Sequence, residues 1–130
     1  MRIVRPTDTT ARDGGPHFSG PAWLREPTGG WSEGYRAMVV DFAPGTRNDW
    51  HHHPGGQVLF VLTGHGRVVA KRGDGLHEET FGPGDIVIAE PGECHWHGAT
   101  EDSLLSHLSV TAEETIWGNA RADEPPDCAN

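Results

Sequence analysis

Residues 45–64 read GTRNDWHHHPGGQVLFVLTG, and this stretch decides the fold. His51 and His53 stand two residues apart, and because side chains alternate across a strand, both imidazoles point to the same face. Gln57 follows four residues later, at the start of the apolar run of residues 58–63. A near-continuous apolar run of this length is typical of a strand that is buried on both faces. The stretch therefore predicts two short strands and a face rich in histidine.

A second histidine pair occurs in residues 84–99, GDIVIAEPGECHWHGA. His95 and His97 repeat the two-residue spacing, and His107 lies on the last predicted long strand. A face that collects imidazoles from three strands would bury polar groups at a cost of about 1–3 kcal/mol each. A bound metal ion is the simplest way to offset that cost, so the pattern predicts a metal site.

The rest of the chain alternates short apolar runs with turn residues. It contains 18 Gly and 10 Pro, and no stretch of a dozen residues shows strong helical periodicity. This pattern predicts an all-β sandwich or barrel, with a jelly roll as the arrangement that best avoids open edges. Residues 35–42 form one such strand, on which Met38, Val40 and Phe42 share a face.

The 130 residues are enough for one domain with one core. We expect residues 1–16 to form a flexible or edge segment, residues 17–118 to form the barrel, and residues 119–130 to be a disordered polar tail. The two cysteines, Cys94 and Cys128, are expected to be free thiols because Cys128 lies in that Pro-rich tail. Free thiols fit a reducing compartment.

The charge balance limits the classes of partner. The net charge is −9 and there is no basic stripe, so nucleic acid is not expected as a partner. No apolar run approaches the roughly 20 residues that span a bilayer, and residues 1–10 lack the apolar core of a signal peptide. We therefore expect a cytoplasmic protein that does not enter a membrane.

The spacing of these residues resembles the two motifs of the cupin family. Gly45, His51, His53, Gln57 and Gly64 resemble the first motif. Gly84, Glu90, Gly92 and His95 resemble the second motif. Where the family pattern has Glu, Pro and Asn, this chain has Gln57, Glu90 and Ala99. The resemblance implies a single-domain cupin, a jelly-roll barrel also called a double-stranded β-helix. The metal ligands that it implies are His51, His53, Gln57 and His95.

A narrower resemblance is to small bacterial cupins with Gln as the fourth ligand, some of which are manganese-dependent hydroxynitrile lyases. It covers residues 51–57, residues 91–99, residues 106–108 and the arm at residues 18–20. By this resemblance the activity would be that of a metal-dependent lyase acting on a small carbonyl or hydroxyl substrate. The alternatives are an Fe(II)-dependent dioxygenase, a biosynthetic cyclase or dehydratase, and a non-catalytic module that binds a metal or ligand.

The chemistry of the expected ligands limits the metal ion and the type of reaction. Three neutral imidazoles and one amide leave the +2 charge of a metal ion uncompensated, which favours Lewis-acid chemistry over oxygen activation. A divalent transition metal is expected. The hard amide oxygen favours Mn or Fe, and Ni, Co and Zn also accept imidazole ligands.

The residues around the expected metal site are candidates for catalysis and for substrate binding. His107 is the expected base that takes a substrate proton, and His97 the residue that positions the substrate, since histidine titrates near neutral pH. Met38 and Val40 are expected to line an apolar substrate pocket. By analogy with small cupins we expect a homodimer or larger homo-oligomer that pairs through the arm near Phe18 and Trp23.

Overall fold

A computed structural model describes residues 1–27, 34–119 and 124–128. Within these residues the regular structure is one short 3₁₀ turn, Pro6–Asp8, and eleven strands, which confirms the all-β prediction. The strands are β1 (Arg12–Asp13), β2 (Ala22–Arg25), β3 (Arg36–Phe42), β4 (His51–His52), β5 (Gln57–Gly64), β6 (Gly66–Arg72), β7 (Gly75–Phe81), β8 (Ile86–Ala89), β9 (His95–Ala99), β10 (Leu105–Thr111) and β11 (Ile116–Trp117).

The strands form two antiparallel sheets. One sheet has six strands in the order β1-β2-β3-β10-β5-β8, and the other has five in the order β11-β4-β9-β6-β7. Neighbouring strands are often distant in sequence, so the chain crosses repeatedly between the sheets, as in a jelly roll. Gly64 ends β5 with a φ of 80°, and a Cβ there would collide with the carbonyl of Leu104. Only glycine is compatible with that turn.

The core lies between the two sheets and is built by alternate residues of their strands. Its larger cluster is apolar and contains Leu24, Val40, Phe42, Val61, Phe81, Ala99 and Leu105. A smaller cluster contains Trp50, Val69, Cys94 and Trp96. His97 and His107 lie next to the larger cluster, where their rings contact the ring of Phe42.

The apolar run of residues 58–63 is buried on one face only, so the prediction of a strand buried on both faces is wrong for the single chain. In β5, Leu59 and Val61 are buried, whereas Val58 and Phe60 each remain 42% exposed. The reason is that the second sheet covers the inner side of this strand alone.

The expectation of two free thiols is also wrong, because Cys94 and Cys128 form a disulfide with their Cα atoms 5.9 Å apart. The chain after β11 runs beside Trp50: the Gly118 amide donates to the Trp50 carbonyl (2.7 Å), and the Trp50 amide donates to the Asn119 carbonyl (3.2 Å). This path brings Cys128 to the small core cluster that contains Cys94. The disulfide therefore removes the reason to expect a reducing compartment.

Among the residues that the structure describes, no helix is long and apolar enough to cross a membrane.

Candidate metal centre and substrate cavity

Four strands, and His53 directly after β4, deliver the polar residues of the site to the space between the sheets. His51 on β4 lies directly opposite His95 on β9, with ring centroids 4.3 Å apart. The ring of His53 is 5.1 Å from that of His51, and the ring of His97 is 5.4 Å from it. Gln57 begins β5, and His107 lies within β10. All six side chains are buried: His51, His53, Gln57, His95, His97 and His107.

Two backbone carbonyls set the tautomers of the opposed pair. The Nδ1–H of His51 donates to the Asp49 carbonyl at 2.8 Å, and the Nδ1–H of His95 donates to the Glu93 carbonyl at 2.9 Å. Because a carbonyl can only accept, the Nε2 atom of each neutral ring carries a lone pair. The Nε2 atoms of His51 and His95 are thus unprotonated, which is the state that a metal ion requires. His53 Nδ1 lies 3.5 Å from Thr115 Oγ1, and its buried Nε2 has no hydrogen-bond partner, so this nitrogen can bind a cation when the ring proton is on Nδ1.

Gln57 adds an oxygen to this set. Its Nε2 donates to Ser109 Oγ at 2.9 Å, which leaves Oε1 facing His95 Nε2 at 3.1 Å. Since His95 already carries its proton on Nδ1, both facing atoms are acceptors, and their lone pairs repel. A cation bound by both atoms would convert this repulsion into attraction. The donor set of nitrogens and one amide oxygen therefore fits a divalent transition metal.

His97 also lies close to two of the expected ligands. Within the described residues, one ring nitrogen from each of His51, His95 and His97 lies within 4.8 Å of the other two. These three histidines could hold a metal ion. His97 thus joins two of the ligands expected from the sequence, whereas His53, the third expected histidine ligand, is not part of this group.

Asn48 determines how His97 is protonated. The backbone N–H of His97 donates to Asn48 Oδ1 at 2.9 Å, so the other end of the amide, Nδ2, must be the donor to His97 Nε2 at 3.2 Å. A neutral His97 then carries its proton on Nδ1, which lies 3.4 Å from His107 Nε2. Asn48 could not be found from the sequence, because its partner lies 49 residues away and no spacing pattern connects them.

The imidazoles of the site are neutral because burial disfavours their charged form. Burial, reinforced by the neighbouring histidines, holds the pKa of His51 and that of His97 well below the usual range. Burial likewise lowers the pKa of His95, lowers that of His53 to about 3, and lowers that of His107 to about 4. At neutral pH all five rings are therefore uncharged, and a ring nitrogen whose lone pair no donor occupies can bind a cation.

A cavity of about 330 Å³ opens against this cluster. Met38 and Val40 line it, as does His107. We call its apolar lining residues Phe18, Leu24, Met38, Val40 and Phe42 the apolar wall. The polar and charged lining residues include Arg12, Arg36, Asn48, His51, His53, Gln57, His97, His107, Ser109 and Glu114. His95 lines a second cavity, of about 360 Å³, between β6, β7 and β8. The first cavity has the volume and mixed lining of a small-molecule site.

Residues near both ends of the chain complete the cavity wall. Trp117 on β11 pairs with His51 on β4 and stacks on His17, with ring centroids 4.0 Å apart. Arg36 makes two hydrogen bonds to Glu26, of 2.7 and 2.9 Å, and Arg12 lies 3.6 Å from the same carboxylate. These residues could not be found from the sequence, because the contacts of Trp117 with His17 and of Arg36 with Glu26 join segments that are apart in the chain.

Comparison with known proteins finds a family model that covers more than half of this chain. The family described as Cupin domain matches residues 38–111. An (R)-mandelonitrile lyase from Granulicella tundricola is 46% identical over 81 residues, which are 62% of this chain and 58% of that protein. The matched region thus spans less than two thirds of that relative.

Solved structures show the same fold. A cupin-like protein from Thermotoga maritima is 28% identical over 82% of both chains, with a TM-score of 0.70. The polyketide cyclase RemF from Streptomyces resistomycificus has a TM-score of 0.73 at 20% identity, over 95% of this chain and 89% of that one. At that identity the likeness concerns the fold alone.

Proposed function

The chain belongs to the cupin family, and we propose that it is a metal-dependent lyase that cleaves a cyanohydrin into a carbonyl compound and hydrogen cyanide. The observation that carries this proposal is the cavity in which buried, neutral imidazoles face an apolar wall. The (R)-mandelonitrile lyase of G. tundricola, 46% identical over the matched region, supports the choice of reaction.

The proposed metal ligands are His51, His53, Gln57 and His95. The hydrogen bonds from His51 and His95 to backbone carbonyls support this choice, because they turn the Nε2 lone pairs toward the centre. When bound there, a divalent ion would supply a positive charge that stabilises a developing anion. Among the candidate metals, the amide oxygen of Gln57 favours Mn or Fe.

His107 is the proposed base. In cyanohydrin cleavage the hydroxyl loses its proton, the oxygen's electrons form the carbonyl double bond, and the bond to the nitrile carbon breaks with its electron pair on cyanide. His107 Nε2 would take the hydroxyl proton and return it to cyanide as hydrogen cyanide. Its contact with His97 is 3.4 Å, long enough that a substrate hydroxyl would compete for the same lone pair.

His97 is the proposed positioning residue. Its proton is held on Nδ1 by the donation from Asn48 to Nε2. His97 would thereby keep His107 Nε2 unprotonated and oriented before the substrate enters. The apolar wall around Met38 and Val40 would hold the hydrocarbon substituent of the substrate.

The test is to reconstitute the metal-free protein with Mn²⁺, Fe²⁺, Ni²⁺, Co²⁺ or Zn²⁺ and follow benzaldehyde release from mandelonitrile under acidic conditions, where the spontaneous reaction is slow. We expect cleavage above background with at least one metal, and at least about 100-fold less with His107→Ala. Metal-loaded protein with no cleavage of aromatic or aliphatic cyanohydrins would contradict the proposal. Oxygen consumption with Fe²⁺ would favour a dioxygenase instead.

A further inference from the structure

A cavity that none of the six candidate site residues lines gives access to the disulfide. Its volume is about 420 Å³, and Cys94 and Cys128 both line it. Cys94 is only 5% exposed, but Cys128 is partly exposed. A small molecule in this cavity can therefore reach Cys128 Sγ while the protein stays folded. Disulfides that are accessible in the folded state are the ones that exchange with other thiols.

The charges on the lining of this cavity favour an anionic reagent. Two of the described charged residues line it, Lys71 and Glu93. Glu93 is paired with Arg72, whose Nε donates to Glu93 Oε2 at 3.0 Å. Lys71 thus provides a positive charge in the same cavity as the disulfide, and the attacking species in thiol–disulfide exchange is a negatively charged thiolate. The cavity therefore suits a thiol reagent.

The disulfide holds the chain immediately after β11. A Cβ on Gly118 would lie 3.2 Å from Cys128 Sγ, so the disulfide is next to the residue that follows Trp117. The Asn119 amide donates to Asp127 Oδ1 at 2.5 Å, which joins the two ends of this segment. Cys94 lies directly before β9. The bond between the cysteines therefore anchors the C-terminal segment to the start of β9.

β11 itself has few other contacts that would keep it in place. It is a two-residue strand at the edge of its sheet, and Ile116 and Trp117 are 39% and 37% exposed. Trp117 stacks on His17, whose side chain is also 37% exposed. An edge strand that is this short and this exposed opens locally at a small cost in free energy. Its pairing with β4 therefore depends on the anchored segment that follows it.

β11 and the residue before it form part of the wall of the substrate cavity. Trp117 lines the cavity, and its ring centroid is 5.0 Å from that of His51. Thr115 lines it as well, and Thr115 Oγ1 lies 3.5 Å from His53 Nδ1. Release of β11 would therefore widen the cavity beside two of the proposed metal ligands.

We propose that the Cys94–Cys128 disulfide is a site of thiol–disulfide exchange, and that its reduction by a dithiol loosens this wall of the substrate cavity. A thiolate of the dithiol attacks Cys128 Sγ, and the disulfide bond breaks with its electron pair on Cys94 Sγ, which takes up a proton. The second thiol of the reagent then closes its own disulfide and releases Cys128 as a thiol. Two electrons and two protons thus pass from the dithiol to the cysteine pair.

The first experiment measures access to the disulfide in the metal-loaded full chain. Dithiothreitol is added at zero to about 2 M urea, the reaction is stopped by alkylation, and alkylated cysteines are counted by mass spectrometry. We expect both cysteines to be reduced while circular dichroism stays native, at a rate that changes less than about twofold over this range. A rate that rises at least about 10-fold with urea would mean that reduction requires global unfolding, and would overturn the proposed exchange site.

The second experiment measures the wall by hydrogen exchange and needs no enzymatic activity. After reduction, the amides of residues 116–119 should exchange at least about 10-fold faster, whereas those of β5 and β10 should keep their rates. Cys128→Ser should exchange as reduced wild type does, with and without dithiothreitol. Unchanged exchange at residues 116–119 in fully reduced protein would overturn the link between the disulfide and the wall.

The consequence for the substrate rests on the proposed function. Reduction, or Cys128→Ser, should raise KM for mandelonitrile at least about 5-fold at unchanged metal content. The matched control is Trp117→Ala, which keeps the disulfide but removes the side chain from the wall. Its KM should be high already and should change less than about twofold on reduction.

The outcomes separate this proposal from the proposed function. If no metal-loaded form cleaves cyanohydrins, the proposed function fails, and hydrogen exchange still decides whether the disulfide controls the wall. If cleavage occurs with the same KM before and after full reduction, the lyase proposal stands and control through the disulfide is overturned.

Discussion

Gln57 Oε1 and His95 Nε2 face each other at 3.1 Å, although the surrounding hydrogen bonds make both atoms acceptors. Two lone pairs at this distance are unfavourable unless a cation lies between them and binds both. The relationship connects β5 of one sheet with β9 of the other. It is the structural reason for expecting a metal ion at the junction of the two sheets.

The first prediction concerns metal binding. Gln57→Leu removes the amide oxygen and should lower the affinity for Mn²⁺ about 10- to 100-fold, whereas His51→Ala should abolish stoichiometric binding. Competition with a chelator and elemental analysis measure the two effects. His77→Ala, which alters an exposed histidine of β7, is the control and should bind as wild type does. Unchanged affinity in Gln57→Leu would remove Gln57 from the ligand set.

The second prediction concerns Asn48. Asn48→Ala removes the donor to His97 Nε2, so the proton of His97 is no longer confined to Nδ1. We expect kcat to fall about 10-fold, with KM and metal content near those of wild type. Nitrogen NMR of the histidine rings should show His97 changing its tautomer. An unchanged tautomer in the variant would mean that Asn48 does not control His97.

The third prediction concerns the apolar wall of the cavity. Met38→Trp fills part of the space opposite the histidines and should raise KM for mandelonitrile at least about 10-fold. A small aliphatic cyanohydrin should still be cleaved, because the polar residues are untouched. Comparison of kcat/KM for the two substrates is the measurement. Equal losses for both substrates would indicate that Met38 does not form the substrate pocket.

The fourth prediction concerns the disulfide. Cys128→Ser opens a link between residues 34 apart in sequence and should lower the free energy of unfolding by about 2–4 kcal/mol. Urea denaturation of wild type with and without a thiol reductant provides the comparison. Reduced wild type should match the variant, and the reductant should have no further effect on the variant. Equal stability of oxidised wild type and Cys128→Ser would contradict the link.

The fifth prediction concerns acid stability of the metal-free protein. Unfolded histidines take up a proton near pH 6.5, whereas burial keeps His107 neutral to about pH 4 and His53 to about pH 3. The unfolded state therefore binds more protons in this range, and the free energy of unfolding falls as pH falls below 6.5. Above pH 6.5 both states are neutral at these groups, so no such dependence is expected.

Thermal unfolding at a series of pH values measures this effect. We expect the midpoint to fall at least about 10 °C between pH 7 and pH 4.5. Bound metal should move the decline to lower pH, because it competes with protons for the same nitrogens. A midpoint that does not change between pH 7 and pH 4.5 would show that the buried imidazoles are not held neutral by the fold.

Several features followed from the pattern of residues alone. The alternation of side chains in strands placed His51 and His53 on one face, and the turn residues between short apolar runs predicted the all-β fold. Met38 and Val40, two residues apart on one strand, line the cavity together for the same reason. The all-β prediction succeeded because it depends on geometry that repeats within one strand.

Other features depended on how distant strands meet in space. The contact of Asn48 with His97 spans 49 residues, and the disulfide from Cys94 to Cys128 spans 34. Trp117 reached the wall of the cavity only because β11 pairs with β4. The apolar run of β5 likewise indicated burial on two faces, whereas the sheet order left one face open in the single chain. Local periodicity identifies the face on which a side chain lies, but the partner across that face is chosen by the order and register of the strands.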